Sequence, residues 1–212
     1  RDIVSIAETG SGKTLGFLLP AVAAMFFAKT NLRKTPSILV VAPTRELAMQ
    51  TAVVAKDMPL SSICIYGGVP KWEQKKAIRD GVNLVVGTPG RLLDLVETDR
   101  CLDLSLVNFL VLDEADRMLD QGFEKDMRRI VASCNPKRQT ALFSATWPES
   151  IQKLAQEFMK KPVHVYIGTK DLTANVRVSQ AVEVVDPREK EDKLHSLLGK
   201  YHKSRKNRVL VF

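Results

Sequence analysis

The sequence predicts an α/β fold, in which a mostly parallel, doubly wound sheet is covered by helices on both faces. Short apolar segments alternate with helical patterns over most of the 212 residues. Some of these segments, such as Ile38–Val41, are apolar at every position, which is typical of parallel strands buried on both faces. Glycine-rich and acidic motifs follow directly after such segments. In doubly wound sheets, the residues that bind ligands lie at these carboxyl ends of the strands.

The elements of this fold can be assigned in chain order. Seven segments are predicted as strands: Ile3–Ile6, Ser37–Ala42, Ser62–Ile65, Val82–Val86, Phe109–Leu112, Thr140–Ser144 and Val163–Tyr166. Between them, six segments are predicted as helices: Lys13–Lys29, Arg45–Asp57, Lys71–Arg79, Gly90–Glu97, Phe123–Cys134 and Pro148–Met159.

The character of the sequence changes near Gly168. We predict a first domain over residues 1–168, a polar linker over 169–177 and the opening of a second domain over 178–212. The second domain is predicted to contain an alternating strand, a charged helix and an apolar strand, at Val178–Val185, Pro187–Tyr201 and Val209–Phe212. Because the chain has no initial Met and stops within that last strand, we expect a fragment cut at both ends.

Composition indicates an intracellular globular protein with no membrane association. The chain is 45% hydrophobic and 26% charged, and its longest apolar stretch, Leu15–Ala28, is interrupted by Gly16 and Pro20. Three scattered cysteines and three separate histidines form neither a disulfide framework nor a metal-binding pattern. The net charge of +8 suits a polyanionic partner.

A glycine-rich loop follows the first predicted strand and precedes a long apolar helix. The setting of strand, loop and helix is that of a phosphate-binding loop, whose backbone N–H groups surround the phosphates of a nucleoside triphosphate. Lys13 would reach the β- and γ-phosphates, and Thr14 would ligate Mg²⁺. Ala7 departs from the general pattern, which has Gly there, and an accidental glycine-rich turn is the alternative. The loop residues are Ala7, Glu8, Thr9, Gly10, Ser11, Gly12, Lys13 and Thr14.

An acidic motif follows another predicted strand about a hundred residues later. Asp113 is predicted to be a second ligand of the Mg²⁺ ion, and Glu114 to orient or deprotonate the attacking water. Together with Lys13, these two carboxylates are the candidate catalytic residues. The two motifs predict a protein that binds and hydrolyses a nucleoside triphosphate.

Further motifs lie between and after these two. In order, they are Pro43-Thr44-Arg45-Glu46-Leu47-Ala48, Gly67-Gly68, Thr88-Pro89-Gly90-Arg91, Asp113-Glu114-Ala115-Asp116 and Ser144-Ala145-Thr146. With the phosphate loop, in which Ala7 is then the expected residue, the chain resembles the first RecA-like domain of a DEAD-box ATP-dependent RNA helicase, continued into the start of the second. The resemblance covers essentially the whole chain. It implies ATP and Mg²⁺ as cofactors, RNA as a partner and RNA-stimulated hydrolysis of ATP coupled to duplex unwinding or ribonucleoprotein remodelling.

Three of these motifs follow different strands and should emerge on one rim of the sheet. In helicases of this family they hold RNA by its sugar–phosphate backbone, which is recognition without base specificity. Taken singly, each loop could instead serve only as a turn or a helix cap. The implied RNA-binding residues are Pro43, Thr44, Arg45, Gly67, Gly68, Thr88, Pro89, Gly90 and Arg91.

The last motif is implied to couple hydrolysis to RNA. By resemblance, the hydroxyl groups of Ser144 and Thr146 would hydrogen-bond toward Asp116 and link ATP turnover to closure on RNA. The plain alternative is a strand end followed by a helix start at Trp147-Pro148.

Finer similarities, including Ser144-Ala145-Thr146-Trp147-Pro148, resemble eukaryotic nuclear or nucleolar members that act in pre-ribosomal RNA processing. They imply a nuclear or nucleolar monomer with pre-ribosomal or other ribonucleoprotein partners. The cytoplasm is the alternative location. The family's adenine-reading segment and its later arginine motifs are missing from these residues, so we expect the chain alone to be largely inactive. Two other hypotheses are an ATP-independent RNA-binding module and another phosphate-loop enzyme, such as a DNA translocase or kinase, which Thr88-Pro89-Gly90-Arg91 disfavours.

Overall fold

The computed structural model describes residues 1–8, 10–27, 35–167, 179, 181–202, 206 and 208–211. The chain divides into two compact units, Arg1–Lys170 and Asp171–Phe212, each of which is described by itself. Thr9, the last two residues of the first predicted helix and the predicted linker 169–177 lie outside the described residues.

A seven-stranded, wholly parallel sheet forms the centre of the first unit, in the order β3-β4-β2-β5-β6-β1-β7. All seven predicted strands are confirmed, with ends that differ by two residues at most. Their bounds are Ile3–Ala7 for β1, Ile38–Val41 for β2, Ser62–Ile65 for β3, Leu84–Gly87 for β4, Phe109–Leu112 for β5, Gln139–Ser144 for β6 and Val163–Ile167 for β7.

Seven α-helices connect these strands within the described part of the first unit. They are α1 (Lys13–Phe27), α2 (Arg45–Lys56), α3 (Lys71–Asp80), α4 (Pro89–Leu93), α5 (Ala115–Asp120), α6 (Glu124–Ser133) and α7 (Glu149–Phe158). The six predicted helices are confirmed, but helix α4 continues into a π-helical segment at Asp94–Thr98 that was not expected, and α5 was not predicted either. Within the described ranges, no helix has both the length and the apolar character that crossing a membrane requires.

The helices form one layer on each face of the sheet. Along β2, Ile38 and Val40 pack into the core beneath α1 and α2, whereas Leu39 and Val41 pack into the core beneath α3–α7. All four side chains are fully buried, because helices cover both faces. This two-sided burial is the reason that the strand is apolar at every position.

All strands run in the same direction, so the loops after them meet at one edge, which we call the carboxyl rim. The rim carries the phosphate loop after β1 and the acidic motif after β5. It also carries the loops that begin at Pro43, Tyr66, Thr88 and Ala145, after β2, β3, β4 and β6.

The second unit contains one helix among its described residues, α8 (Lys190–Tyr201), close to the predicted helix. The two strands predicted there are wrong for the residues described, since 181–186 and 208–211 are not in strands. Val182 and Val184 are 90% and 99% exposed. The alternating pattern gives a side-chain arrangement suited to a strand, but a strand also needs a hydrogen-bonded neighbour, and these residues have none among those described. Val178 and Phe212, the outer ends of the predicted strands, lie outside the described part.

Candidate nucleotide and nucleic-acid sites

The phosphate loop leaves β1 and leads directly into α1. Gly10 and Gly12 adopt positive φ angles of 80° and 83°, which side chains other than glycine rarely tolerate. The Ser11 hydroxyl donates to the Glu8 carbonyl at 2.8 Å and closes the turn. Ala7 is the last residue of β1 and is 2% exposed, so a small side chain fits the buried strand end. The described residues of the loop therefore include two glycines with the positive φ angles that allow backbone N–H groups to turn toward an anion.

Lys13 and Asp113 face one another at the centre of this site. The Lys13 Nζ lies 3.9 Å from the Asp113 Oδ1, and both side chains are 8% exposed. Neither atom has a hydrogen-bond partner among the described residues. Burial raises the pKa of Asp113 to about 6, although the Lys13 ammonium acts in the opposite direction. Buried charged groups without partners are costly, so the pair is suited to a polar ligand that supplies the missing contacts.

The donor set fits Mg²⁺ bound together with phosphates. A magnesium ion is usually held by one or two protein oxygens, with phosphate oxygens and waters completing the shell. Asp113, with its unpaired buried oxygen, and Thr14, the second residue of α1, are the two residues that would hold it. The described residues contain no group of three His, Cys, Asp or Glu side chains that could hold an ion without a ligand.

Glu114 is held in an unusual conformation beside Asp113. Its backbone is left-handed, with φ 52° and ψ 53°, which is uncommon outside glycine and clusters at functional sites. Its side-chain Oε2 accepts a hydrogen bond from Arg117 Nη1 at 3.1 Å, so the carboxylate has a fixed orientation. Sequence reasoning missed Arg117, although the spacing of three residues on a helix start is a signal for such a pair.

Asp116 links the acidic motif to the segment after β6. Its Oδ2 accepts hydrogen bonds from both the backbone N–H and the hydroxyl of Thr146, at 3.0 Å and 2.9 Å. The expected bond from Ser144 is absent, and the Ser144 hydroxyl is buried without a partner among the described residues. The hydrogen bond expected of Ser144 is therefore not formed, whereas its coupling role stays a prediction. Ser144 is still part of β6, so its side chain points into the packed layer, whereas Thr146 lies beyond the strand.

The loops after β2, β3 and β4 line one open cleft of about 650 Å³ on the carboxyl rim. Of the nine predicted RNA-binding residues, seven line this cleft: Pro43, Thr44, Arg45, Gly67, Thr88, Gly90 and Arg91. Gly68 and Pro89 are not in the lining. Glu46, Asp94 and Phe123 complete it and were not predicted from sequence. Thr44 caps α2, since its hydroxyl oxygen accepts a hydrogen bond from the Leu47 N–H at 3.3 Å.

The two arginines of the cleft have different surroundings. Arg45 is exposed, and its guanidinium forms no hydrogen bond or ion pair with another described residue. It lies over Gly68, where an added Cβ would come within 2.7 Å of the guanidinium nitrogens. The Arg91 side chain is only 12% exposed, and it donates to the Val69 carbonyl at 3.1 Å and to the Gln74 Oε1 at 3.4 Å. One arginine is available to a ligand, and the other is already bound within the protein.

Comparison with known proteins agrees with this geometry. The sequence model of the family described as DEAD/DEAH box helicase matches residues 1–154. The chain belongs to that family. It is 52% identical over 224 residues to the DEAD-box ATP-dependent RNA helicase 5 of Arabidopsis thaliana, with 100% of this chain and 41% of the relative covered. It is 48% identical over 220 residues to the ATP-dependent RNA helicase DBP3 of Saccharomyces cerevisiae, with the same coverage of 100% and 41%.

Solved structures show the same fold. A DEAD box protein from Methanococcus jannaschii matches with a TM-score of 0.71 and 36% identity, over 93% of this chain and 52% of that one. A hypothetical ATP-dependent RNA helicase from Sulfolobus tokodaii matches with a TM-score of 0.69 and 35% identity, over 79% of this chain and 48% of that one. The RecA-like fold is therefore confirmed. The chain spans about two fifths of the length of these curated relatives.

Proposed function

We propose that this chain is part of an ATP-dependent RNA helicase, in which RNA-stimulated ATP hydrolysis drives local duplex unwinding or ribonucleoprotein remodelling. One observation carries the proposal: the unsatisfied Lys13–Asp113 pair and the three-loop cleft lie on the same rim of one sheet. A site for a charged ligand and an open cleft are thus built on one rigid support.

ATP would be bound by the loop from Ala7 to Thr14. The backbone N–H groups of the loop and the Lys13 ammonium would contact the phosphates. Bound Mg²⁺, held by Thr14 and Asp113, would neutralise phosphate charge. Glu114, fixed by Arg117, would orient the attacking water and accept its proton.

RNA would be bound in the cleft through its backbone. The start of α2 presents free N–H groups, and Arg45 offers an unpaired guanidinium, both of which suit phosphate oxygens. Such contacts do not depend on base sequence. The hydrogen bond between Asp116 and Thr146 would then couple the nucleotide-bound state of the acidic motif to the segment after β6.

The remaining features of the proposal rest on sequence resemblance. We propose that residues 178–212 begin a second RecA-like domain after a linker over 169–177, that pre-ribosomal RNA is a substrate and that the protein acts as a monomer in the nucleus or nucleolus. Ribonucleoprotein components would be its partners. Recovery of cross-linked RNA from cells would test the substrate, and enrichment of messenger RNA in place of ribosomal precursors would exclude it.

The central test is ATP turnover by the full natural protein, including any sequence that flanks these 212 residues. Phosphate release should rise with single-stranded RNA and much less with single-stranded DNA. Equal stimulation by both would favour a DNA translocase, and RNA binding without any hydrolysis would favour an ATP-independent RNA-binding module.

A further inference from the structure

Polar contacts centred on Arg91 hold two loops of the cleft together. Arg91 lies in α4, after β4, and its Nη1 donates to the carbonyl of Val69 in the loop after β3 at 3.1 Å. The same nitrogen donates to the Gln74 Oε1 at 3.4 Å, and the Nε lies 3.7 Å from the Asp94 Oδ2. The guanidinium therefore joins α3, α4 and the loop between β3 and α3.

Both side chains that hold Arg91 have second partners. Gln74 is buried, and its Nε2 donates to the Tyr66 carbonyl at 3.1 Å, directly at the end of β3. Asp94 accepts a hydrogen bond from the Lys71 Nζ at 2.8 Å. Because each partner is itself fixed, Arg91 has one defined position.

An arginine in this position is poorly suited to contact RNA. Turning toward a phosphate would leave the half-buried Val69 carbonyl and the Oε1 of the buried Gln74 without their donor. A buried acceptor without a donor carries its desolvation penalty, so the loss at Gln74 is the larger one. Arg45 can turn toward a phosphate without this cost, since it has no partner to lose among the described residues.

We propose that Arg91 is a positioning residue and not an RNA contact. With Gln74 and Asp94, it sets the distance between the Gly67-Gly68 loop and α4, so that the cleft is shaped before RNA arrives. Arg45 is then the arginine of the cleft that contacts phosphate. This inference rests on the proposed RNA-binding function and assigns different roles to two arginines that sequence reasoning treated alike.

The salt dependence of RNA binding separates the two roles. Each phosphate contact made to a single strand contributes about 0.7 to the slope of the logarithm of affinity against the logarithm of salt concentration. In the full natural protein with a single-stranded RNA, Arg45→Ala should reduce that slope by about 0.7. Arg91→Gln should weaken binding by about fivefold or more through the lost hydrogen bonds, with the slope unchanged. Gln74→Ala, which alters no charge, should weaken binding in the same way.

Two variants act as controls. Arg128→Gln removes an arginine that pairs with Glu124 and Glu157 on α6 and α7, and it should leave RNA affinity unchanged. Arg91→Lys is the mild variant for use if Arg91→Gln does not fold. A lysine ammonium is a single nitrogen and does not reproduce the planar fork that places the Arg91 Nη1 and Nε near separate acceptors, so affinity should still fall although the charge is kept. Thermal melting of each variant verifies that binding is measured on folded protein.

The outcomes are distinct. A slope that falls as far with Arg91→Gln as with Arg45→Ala, or wild-type affinity in both Arg91→Lys and Gln74→Ala, would overturn the inference. A wild-type protein that binds no RNA would overturn the proposed function itself, and the inference with it.

Discussion

The proposed nucleotide half of the carboxyl rim, at Lys13 and Asp113, and the proposed nucleic-acid half, at the three-loop cleft, are built differently. In the first, the buried Lys13 Nζ and Asp113 Oδ1 have no hydrogen-bond partner among the described residues. In the second, Arg91 donates hydrogen bonds to Gln74 and to the Val69 carbonyl and forms an ion pair with Asp94. A ligand would thus supply the contacts that the proposed nucleotide site lacks, whereas contacts within the protein hold the cleft together. We expect substitutions in the nucleotide half to change ATP binding or hydrolysis. Substitutions in the nucleic-acid half should instead change the shape of the cleft and thereby the affinity for RNA.

The largest expected effect is at Glu114. Glu114→Gln should slow ATP hydrolysis by about a hundredfold or more, because the amide cannot accept a proton, while ATP binding stays nearly intact. Single-turnover phosphate release and nucleotide titration measure the two quantities. Glu124→Gln, an exposed carboxylate of α6, is the matched control and should hydrolyse at the wild-type rate. Near-normal hydrolysis by Glu114→Gln would contradict its assignment as the base.

Acid should weaken the magnesium-dependent part of ATP binding. Burial raises the pKa of Asp113 to about 6, so the carboxylate is charged at pH 7.5 and becomes protonated as the pH falls through that value. We expect Mg²⁺-dependent ATP affinity to fall about tenfold for each pH unit below the pKa. Titrations with Mg²⁺ and with a chelator, from pH 7.5 to 5, isolate this part, and Asp113→Asn should remove its pH dependence.

The same titration affects the stability of the ligand-free protein in the opposite sense. A carboxyl whose pKa is raised on folding contributes stability that is present below its unfolded value of 3.8 and is lost as the pH rises through about 6. Low pH therefore weakens ATP binding, and at the same low pH the Asp113 carboxyl destabilises the folded protein least.

The coupling between the halves should depend on Thr146 more than on Ser144. Thr146→Val removes the hydroxyl bond to Asp116, and the ratio of RNA-stimulated to basal ATPase should fall by about tenfold, the scale of one charged hydrogen bond. Ser144→Ala removes a hydroxyl without a partner among the described residues, and its effect should be smaller. Equal losses in the two variants would show that the Asp116–Thr146 bond is not the coupling contact.

The smallest effect should appear in the glycine pair of the cleft. A Cβ at Gly68 would displace the Arg45 guanidinium and strain a φ of 84°, whereas a Cβ at Gly67 meets nothing within 4 Å. We expect Gly68→Ala to weaken RNA binding by about threefold to fivefold, consistent with roughly 1 kcal/mol of strain. Gly67→Ala should weaken it less. The reverse order would place the critical contact at Gly67.

Most of the fold could be predicted, because the features that determine it are repeated along the chain. Continuous apolar runs such as Ile38–Val41 define buried parallel strands, and the order of strand, loop and helix places the motifs on one rim. Helix α5 escaped prediction because six residues are too few to show a helical period. The strand predicted around Val182–Val184 failed because alternation describes side chains and cannot supply a partner strand.

The residues of the candidate site likewise divide into those that the sequence predicts and those that it does not. The loop containing Lys13 and the acidic residues could be predicted, since phosphate and metal chemistry restrict the residue types that can serve. The role of Gln74 could not be predicted, because a single glutamine on a polar helix forms no recognisable sequence pattern. Its role arises only from the contact between α3 and Arg91. Sequence alone could not separate Ser144 from Thr146 either, since the difference depends on where β6 ends.

The position of β1 within the sheet has a consequence for biosynthesis. The strand that ends in the phosphate loop is made before the other six strands of the sheet, yet its two neighbours are β6 and β7, whose residues pair with Ile3 at Ala141 and Val163. A nascent chain must therefore keep this apolar segment unpaired until nearly the whole first unit has left the ribosome, and such long-range pairing forms slowly. The strand that supports the phosphate loop is consequently among the last of the seven to be paired, and we expect a chain that ends before β6 to lack a formed phosphate loop.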